Sequence, residues 1–234
     1  MMKGSRGFVF GESYAVYSGP AGHTSLHQHA AYQFVLGVSS ELVVFNDSGS
    51  EMRGHVFLIP PLLKHTIRCS GVTTVIFIDA HSAIIEKIKT ISEATSIVDL
   101  SKAELPFSRY SKISEIINIL HKYSQTESSN IDPRLAEAIA KLGERPGEMK
   151  IANVAEACGL SISHLRTLAR QELGVPISTW LIWRKLEKAS RALAEGTSLA
   201  ESALIGGFTD QAHFSRTMRR MIGMTPQEAL AVLK

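Results

Sequence analysis

Residues 198–226 read SLAESALIGGFTDQAHFSRTMRRMIGMTP, and residues 151–176 carry the same pattern as IANVAEACGLSISHLRTLARQELGVP. Gly159 in the earlier copy corresponds to Gly207 in the later one, 48 residues further on. A repeat of this period indicates two copies of one supersecondary element. The C-terminal half is therefore predicted to be built from a duplicated unit.

Each copy predicts a helix, a short turn and a second helix. In the first copy, apolar residues recur at i, i+3, i+4 and i+7 from Ile151, which predicts one buried helical face. Gly159 then ends the helix, because glycine readily takes the positive φ found at helix ends. Ser161 or Ser163 can cap the helix that follows by accepting from its free N–H groups.

Two short helices joined by a glycine-containing turn form a helix-turn-helix, whose second helix fits the major groove of DNA. Arginine can pair with guanine, and glutamine with adenine. An ordinary α-hairpin with solvated arginines is the alternative for one copy, but two copies favour DNA. The candidate DNA-binding residues on the outward faces are Ser163, Arg166, Thr167, Arg170, Gln211, Ala212, Ser215, Arg216 and Arg219.

The second copy resembles the signature that closes the DNA-binding domain of AraC/XylS-type transcription regulators. The residues in register are Gly207, Phe208, Phe214, Arg216, Gly223 and Pro226. The resemblance covers roughly residues 131–234, and it implies that a long helix holds both units against adjacent segments of the major groove. That helix would span 177–193, with Leu181, Leu186, Ala189 and Leu193 facing inward. The implied base-contacting positions are the candidate residues above, without Arg170 and Arg219.

Residues 7–80 are predicted to form β-structure. The runs FVF, YAVY, YQFVLGV, LVVF, VFLIP and TTVIFID are short and rich in β-forming residues, with glycine, proline and Asn-Asp-Ser-Gly between them. Six or more short strands in this length predict a small antiparallel barrel or sandwich.

Two segments of this region, GHTSLHQHAAYQ (22–33) and GHVFLIPPLLKH (54–65), resemble the two motifs of the cupin fold. They also resemble the effector-binding half of many AraC-type regulators. The resemblance implies that four side chains converge inside the barrel as effector-binding residues: His27, His29, Gln33 and His65. In metal-binding cupins the matching positions hold a divalent metal, and Gln33 replaces the usual glutamate, which removes a negative charge. A metal site and a metal-free effector pocket both stay open.

The fold class is therefore α+β: a small cupin-like β-barrel, then an all-α domain with two helix-turn-helix units joined by a long helix. The predicted domains are 1–80 for the barrel, 81–126 for amphipathic helices, 127–133 for a linker and 134–234 for the DNA-binding domain. Isoleucines at helical spacing predict helices near 84–91 and over 108–124. The second of these either packs on the barrel or forms a homodimer contact, and we expect the dimer contact.

Composition narrows the class of protein. The chain has 234 residues and a net charge of +3, all of it in residues 131–234. No apolar run is long enough to span a membrane, and the N-terminal residues lack the features of a secretion signal. The two cysteines, Cys69 and Cys158, are expected to be reduced core residues. A cytoplasmic protein without a membrane segment is expected.

Two functions fit these patterns. The first is a transcription regulator that binds double-stranded DNA, senses a small-molecule effector and forms a homodimer; it is not an enzyme. The alternative is a metal-dependent cupin enzyme with an appended helical domain. The alternative has only the histidine spacing in its favour, since the acidic metal ligand is missing. We therefore expect the regulator.

Overall fold

A computed structural model describes residues 8–11, 13–20, 22–82, 85, 96–124, 131–144, 146 and 148–232. The chain divides into two compact units. The first comprises residues 1–128 together with 219–234, and the second comprises residues 129–218.

The first unit contains a β-domain made of short strands. They are β1 (Phe8–Phe10), β2 (Tyr14–Pro20), β3 (Tyr32–Gly37), β4 (Leu42–Asn46), β5 (Glu51–Gly54), β6 (Val56–Ile59), β7 (His65–Arg68), β8 (Val72–Ile78) and β9 (Val98–Asp99). All six strands expected from the β-rich runs are present. Strands β5, β7 and β9 were not predicted, because they are short and carry polar residues.

The strands form two antiparallel sheets. One has the order β1-β2-β8-β3-β6-β9, and the other has the order β5-β4-β7. Among the described strands no hydrogen-bonded ladder joins the two sheets, so the predicted barrel is open along its sides. A single antiparallel bridge between His27 and His65 extends the smaller sheet towards the segment that leads into β3.

Strand β3 explains how the β-domain is layered. Successive side chains of a strand point to opposite faces of the sheet. Val35 packs between the two sheets with Val44 and Phe57. Phe34 and Leu36 point to the other face of the larger sheet, into a separate core cluster. Gln33 has the parity of Val35 and therefore lies on the face between the sheets.

Helix α1 (Ile113–Ser124) covers the outer face of the larger sheet. Its Ile116 and Leu120 are buried in the same cluster as Phe34, with Ile113 and Ile117 packed against them. Ile116 and Leu120 are therefore used inside the chain, where they cover the face of the sheet. The dimer contact expected from this helix stays a prediction. Apart from residue 85, the helix predicted near 84–91 lies outside the described residues, as does part of the predicted linker.

The remaining helices match the duplicated pattern. They are α2 (Pro133–Glu144), α3 (Ile151–Ala157), α4 (Ile162–Glu172), α5 (Ile177–Ala194), α6 (Leu199–Ile205), α7 (Gln211–Ile222) and α8 (Pro226–Val232). Helices α3 and α4 form one helix-turn-helix, and α6 and α7 form the other. The prediction of two such units joined by a long helix is confirmed.

The long helix α5 contacts both α4 and α6. Its buried residues are Ile177, Trp180, Trp183, Leu186, Ala189 and Ala192. Leu181 and Leu193, which we expected to face inward, are only half-buried. The two tryptophans take the inward face because burial of their large rings removes more apolar surface from water.

Cys69 and Cys158 are both free thiols and both buried, as predicted. Among the described residues, no helix combines the length and the apolar character that crossing a bilayer requires.

Candidate functional site

The first helix-turn-helix is shaped by local signals in residues 159–165. Gly159 has a φ of +67°, which glycine adopts without strain. The Ser161 side chain caps α4 by accepting a 3.1 Å hydrogen bond from the backbone N–H of His164. Leu165 is fully buried. The turn and the cap together fix the direction in which α4 leaves the turn.

The second helix-turn-helix repeats this arrangement. Gly207 has a φ of +76°. Asp210 Oδ1 accepts a 2.7 Å hydrogen bond from the backbone N–H of His213 and so caps α7. Phe214, the counterpart of Leu165, is fully buried, and Met218 is also buried. The same kind of glycine turn and side-chain cap therefore precedes α4 and α7, and the two helices bury equivalent residues.

The opposite faces of α4 and α7 are open to solvent. The exposed candidate residues are Ser163, Arg166, Thr167 and Arg170 on α4, and Gln211, Ala212, Arg216 and Arg219 on α7. Ser215 is half-buried. The structure thus brings the predicted residues of each unit onto one exposed helical face.

The arginines on these faces differ in their partners. Arg219 Nη2 lies 2.6 Å from Glu228 Oε1, an exposed ion pair. In the described part of the chain, no carboxylate forms an ion pair with Arg166, Arg170 or Arg216. The guanidinium groups of Arg166, Arg170 and Arg216 can therefore pair with phosphate or with a base without breaking an existing salt bridge.

The β-domain holds a second group of functional side chains. His27 and His65 pair through their backbones: His27 N–H donates to His65 C=O at 3.1 Å, and His65 N–H donates to His27 C=O at 2.9 Å. His29 follows two residues later, and Gln33 lies on β3. All four side chains are buried. One ring nitrogen from each histidine lies within 4.8 Å of the others, so the structure brings the four predicted residues together.

Backbone carbonyls orient each imidazole ring. The Nδ1 atoms of His27, His29 and His65 lie 2.8, 2.7 and 2.9 Å from carbonyl oxygens of residues 25, 31 and 63. Because a carbonyl can only accept, each Nδ1 carries the hydrogen. The Nε2 atoms of His29 and His65 lie 2.8 and 3.0 Å from Gln33 Oε1.

Burial keeps these rings neutral. Removal from water lowers the pKa of His27 to about 3, with the nearby His29 as a further cause. Burial likewise lowers the pKa of His29 to about 4, opposed by its Gln33 contact. Burial and the two neighbouring imidazoles lower the pKa of His65 to about 2. At neutral pH each ring therefore has a lone pair on Nε2.

An apolar cavity adjoins the cluster within the first unit. Gln33 is one of its few polar lining residues, and Val35, Ile67, Val75 and Phe77 form much of the wall between the sheets. The Phe77 ring lies edge-on to His29, with ring centroids 5.3 Å apart. The cavity therefore has a mostly apolar wall with a few polar groups, as in many small-molecule sites. Gln33 is the one member of the cluster in its lining, and His27, His29 and His65 are not part of that lining.

Comparisons with known proteins bear on the helical part of the chain. A family model described as a helix-turn-helix domain matches residues 154–231. Over 104 residues, the chain is 35% identical to the arabinose operon regulatory protein of Escherichia coli K12, which covers 42% of this chain. The chain carries an AraC-type helix-turn-helix domain. The sequence resemblance is thereby confirmed.

A second relative of the AraC-type domain is the virulence regulon transcriptional activator VirF of Yersinia enterocolitica. It is 26% identical over 106 residues, which is 39% of this chain. The chain spans only a little over a third of the length of these two relatives, 35% and 39%.

The fold of the chain is similar to that of a solved structure. An apo variant of ToxT from Vibrio cholerae strain SCE256 matches 96% of this chain and 99% of its own length, with a TM-score of 0.63 and 12% identity. At this identity the likeness shows the fold alone: a β-sheet N-terminal domain followed by a helical C-terminal domain.

Sequence reasoning missed two exposed polar residues of the AraC-type domain. Arg220 follows Arg219 on α7 and is exposed, and His164 lies beside Ser163 on α4 and is exposed. For Arg220 the signal was its place one helical turn after Arg216. These two residues widen the polar face that each helix presents.

Proposed function

We propose that this protein is a sequence-specific DNA-binding transcription regulator whose β-domain binds a small-molecule effector. The observation that carries the proposal is the duplicated polar face on α4 and α7, where Arg166, Arg170 and Arg216 have no ion pair among the described residues. In this proposal α4 and α7 enter the major groove of double-stranded DNA. Both relatives are named as regulators, which supports this choice over an enzyme.

The residues of each helix have different roles in this proposal. Arg166, Arg216 and Gln211 contact base edges, because their side chains offer paired hydrogen-bond donors or acceptors. Thr167, Ser163, Ala212 and Ser215 line the contact surface. Arg170 and Arg219 contact phosphates, since cationic side chains there supply affinity that does not depend on sequence.

The effector site in this proposal is the apolar cavity, with Gln33 in its lining and the histidine cluster in contact with Gln33. The effector-binding residues are His27, His29, Gln33 and His65. An effector changes transcription only if it binds one conformation of the protein more tightly than another, because equal affinity leaves the populations unchanged.

Two further features belong to the proposal. We infer a homodimer, with a contact that does not use the buried Ile116 and Leu120 of α1. We also infer that the protein acts in the cytoplasm.

Fluorescence anisotropy on the full chain tests the DNA proposal. Selected duplexes should bind more tightly than a scrambled duplex, and binding should weaken as the salt concentration rises, because the protein releases counterions from DNA. Replacing Arg166 and Arg216 together with alanine should remove the preference for the selected duplex. The matched control is Arg53→Ala, which removes an exposed arginine of β5. Equal binding of selected and scrambled duplexes by the parent protein would reject the proposal.

A further inference from the structure

The apolar cavity of the first unit limits the kind of effector that the β-domain can bind. Thr73, Val75 and Phe77 line it, because alternate residues of β8 point to the face between the sheets. Pro20 and Gly22 also line it and are exposed. A ligand can therefore enter from solvent without unfolding the β-domain.

The wall of this cavity is apolar and partly aromatic. Phe8, Tyr17 and Phe77 contribute rings, and the ring centroids of Phe8 and Tyr17 are 4.8 Å apart. Val35 and Ile67 are buried aliphatic residues of the same wall. Aromatic rings bury a large apolar surface and also attract other rings. A ligand with a flat apolar body therefore fits this wall.

The charge of the lining matters as much as its shape. In the part of the chain that the structure describes, no charged side chain lines the cavity. A carboxylate or ammonium group that leaves water without gaining a partner costs far more free energy than a neutral polar group does. A ligand with many hydroxyl groups would leave most of them unpaired against the apolar wall. The lining therefore favours an uncharged ligand with few polar groups.

Most polar side chains of the lining already have a partner within the protein. The Tyr17 hydroxyl group donates to the Pro20 carbonyl oxygen at 2.8 Å. Thr24 Oγ1 accepts from the backbone N–H of Ile67 at 2.8 Å. Gln33 contacts the histidine cluster through Oε1. These groups therefore have little need of a hydrogen bond from a ligand.

Thr73 is the exception among the polar lining residues. It is only 2% exposed, and its Oγ1 atom forms no hydrogen bond with any described residue. Both residues that pair with it on the adjacent strands are glycines, Gly19 of β2 and Gly37 of β3, so neither neighbour covers the hydroxyl group with a side chain. A buried hydroxyl group without a partner costs free energy, and a hydroxyl or carbonyl group of a ligand can supply that partner.

We propose that the effector is an uncharged, mainly apolar ring compound with one hydroxyl or carbonyl group, which forms a hydrogen bond with Thr73 Oγ1. The inference rests on the proposed function, because it names the ligand class of the effector site. Burial of the ring against the wall supplies most of the affinity. Thr73 then determines which ring compounds bind.

The test is an NMR titration of the full chain, carrying ¹³C-labelled valine and isoleucine methyl groups, with acetophenone and with benzoate. These two molecules have nearly the same shape and differ in charge. The methyl groups of Val35, Ile67 and Val75 report on the cavity wall. We expect acetophenone to shift these resonances and to bind about tenfold or more tightly than benzoate, because the carboxylate has no cationic partner in the lining.

Thr73→Val tests the hydrogen bond. It should weaken acetophenone binding by about 2- to 10-fold, as loss of one hydrogen bond does, and should leave the binding of toluene unchanged. Thr74→Val is the matched control, one residue further along β8. Thr74 is also buried, but its hydroxyl group lies 3.1 Å from Ser18 Oγ, on the other face of the sheet. Thr74→Val should therefore bind acetophenone as the parent protein does.

The melting temperatures of the two variants give a second readout. Thr73→Val should raise the melting temperature because it removes an unpaired buried hydroxyl group, whereas Thr74→Val should lower it because Ser18 loses its partner. Equal binding of benzoate and acetophenone, or unchanged acetophenone binding by Thr73→Val, would overturn the inference and leave the cavity as an effector site for another ligand class. Unchanged methyl resonances with both ligands would also overturn it, and anisotropy with DNA on the same samples separates that result from failure of the DNA proposal.

Discussion

Gln33 Oε1 lies 2.8 Å from His29 Nε2, and both side chains are buried between the sheets of the β-domain. This contact is part of a polar cluster that lies among otherwise apolar side chains between the two sheets. Burying polar groups costs free energy unless they have partners, so the cluster constrains both stability and function.

The cluster predicts a loss of stability in acid. The pKa values of His27, His29 and His65 fall from 6.5 to about 3, 4 and 2 in the folded chain. Below pH 6.5 the unfolded chain therefore binds more protons than the folded chain, and the free energy of unfolding decreases. Each histidine contributes up to about 1.4 kcal/mol per pH unit. Urea unfolding with a chelator present, between about pH 7 and about pH 5, measures this slope.

The control for the acid prediction is His23, an exposed histidine. His23→Ala should leave the pH slope unchanged, whereas His65→Gln should reduce it. A stability that does not vary across this pH range would contradict the prediction.

Gly206 is predicted to tolerate no side chain. A Cβ at this position would lie 2.6 Å from Ala189 Cβ and 2.7 Å from the Lys185 carbonyl oxygen, both on α5. Gly206→Ala should destabilise the protein by about 1–3 kcal/mol through overpacking. Gly143→Ala is the matched control in α2, where the new methyl would meet Trp180 at an ordinary 3.5 Å. That change should stabilise by about 0.5–1 kcal/mol, because alanine favours helix. Denaturant unfolding of both variants measures the two changes in the free energy of unfolding.

Gly174 and Gly223 occupy equivalent positions of the repeat and form a second matched pair. Both have positive φ, +70° and +82°. A Cβ at Gly174 would meet no atom within 4 Å, whereas at Gly223 it would lie 2.7 Å from His27 Nδ1. Alanine at either position carries a backbone strain of roughly 1–3 kcal/mol. Gly223→Ala should lose more stability than Gly174→Ala, and equal losses in thermal melts would exclude the contact with His27.

Arg216→Ala should weaken binding to the selected duplex by roughly 1–3 kcal/mol and relax base preference at one position. The reason is its exposed place on α7 without an ion pair among the described residues. Competition anisotropy with duplexes altered one base pair at a time measures both effects. An affinity equal to that of the parent would remove Arg216 from the base contacts, and Arg53→Ala provides the reference for simple loss of charge.

The helical half could be predicted almost entirely from sequence. Gly159, Gly207, Ser161 and Asp210 act on residues a few positions away, so their pattern predicts turns and caps directly. The strands at 8–10 and 32–37 were predicted for the same reason, since runs of β-forming residues and the turn residues between them are local. The inward face of α5 was predicted less well. Trp180 and Trp183 face inward because their large side chains fill the space that α4 and α6 leave next to α5.

Sequence patterns thus determined the duplicated helix-turn-helix and the β-rich N-terminal half, and the resemblance to the cupin motifs implied the four residues that should converge. Tertiary structure decided how they meet. Gln33 faces His29 and His65 because β3 and β7 belong to different sheets that the fold brings together. Ile116 is buried rather than exposed because the larger sheet presents an apolar face to α1. These outcomes depend on contacts between residues far apart in the chain, and local patterns do not encode such contacts.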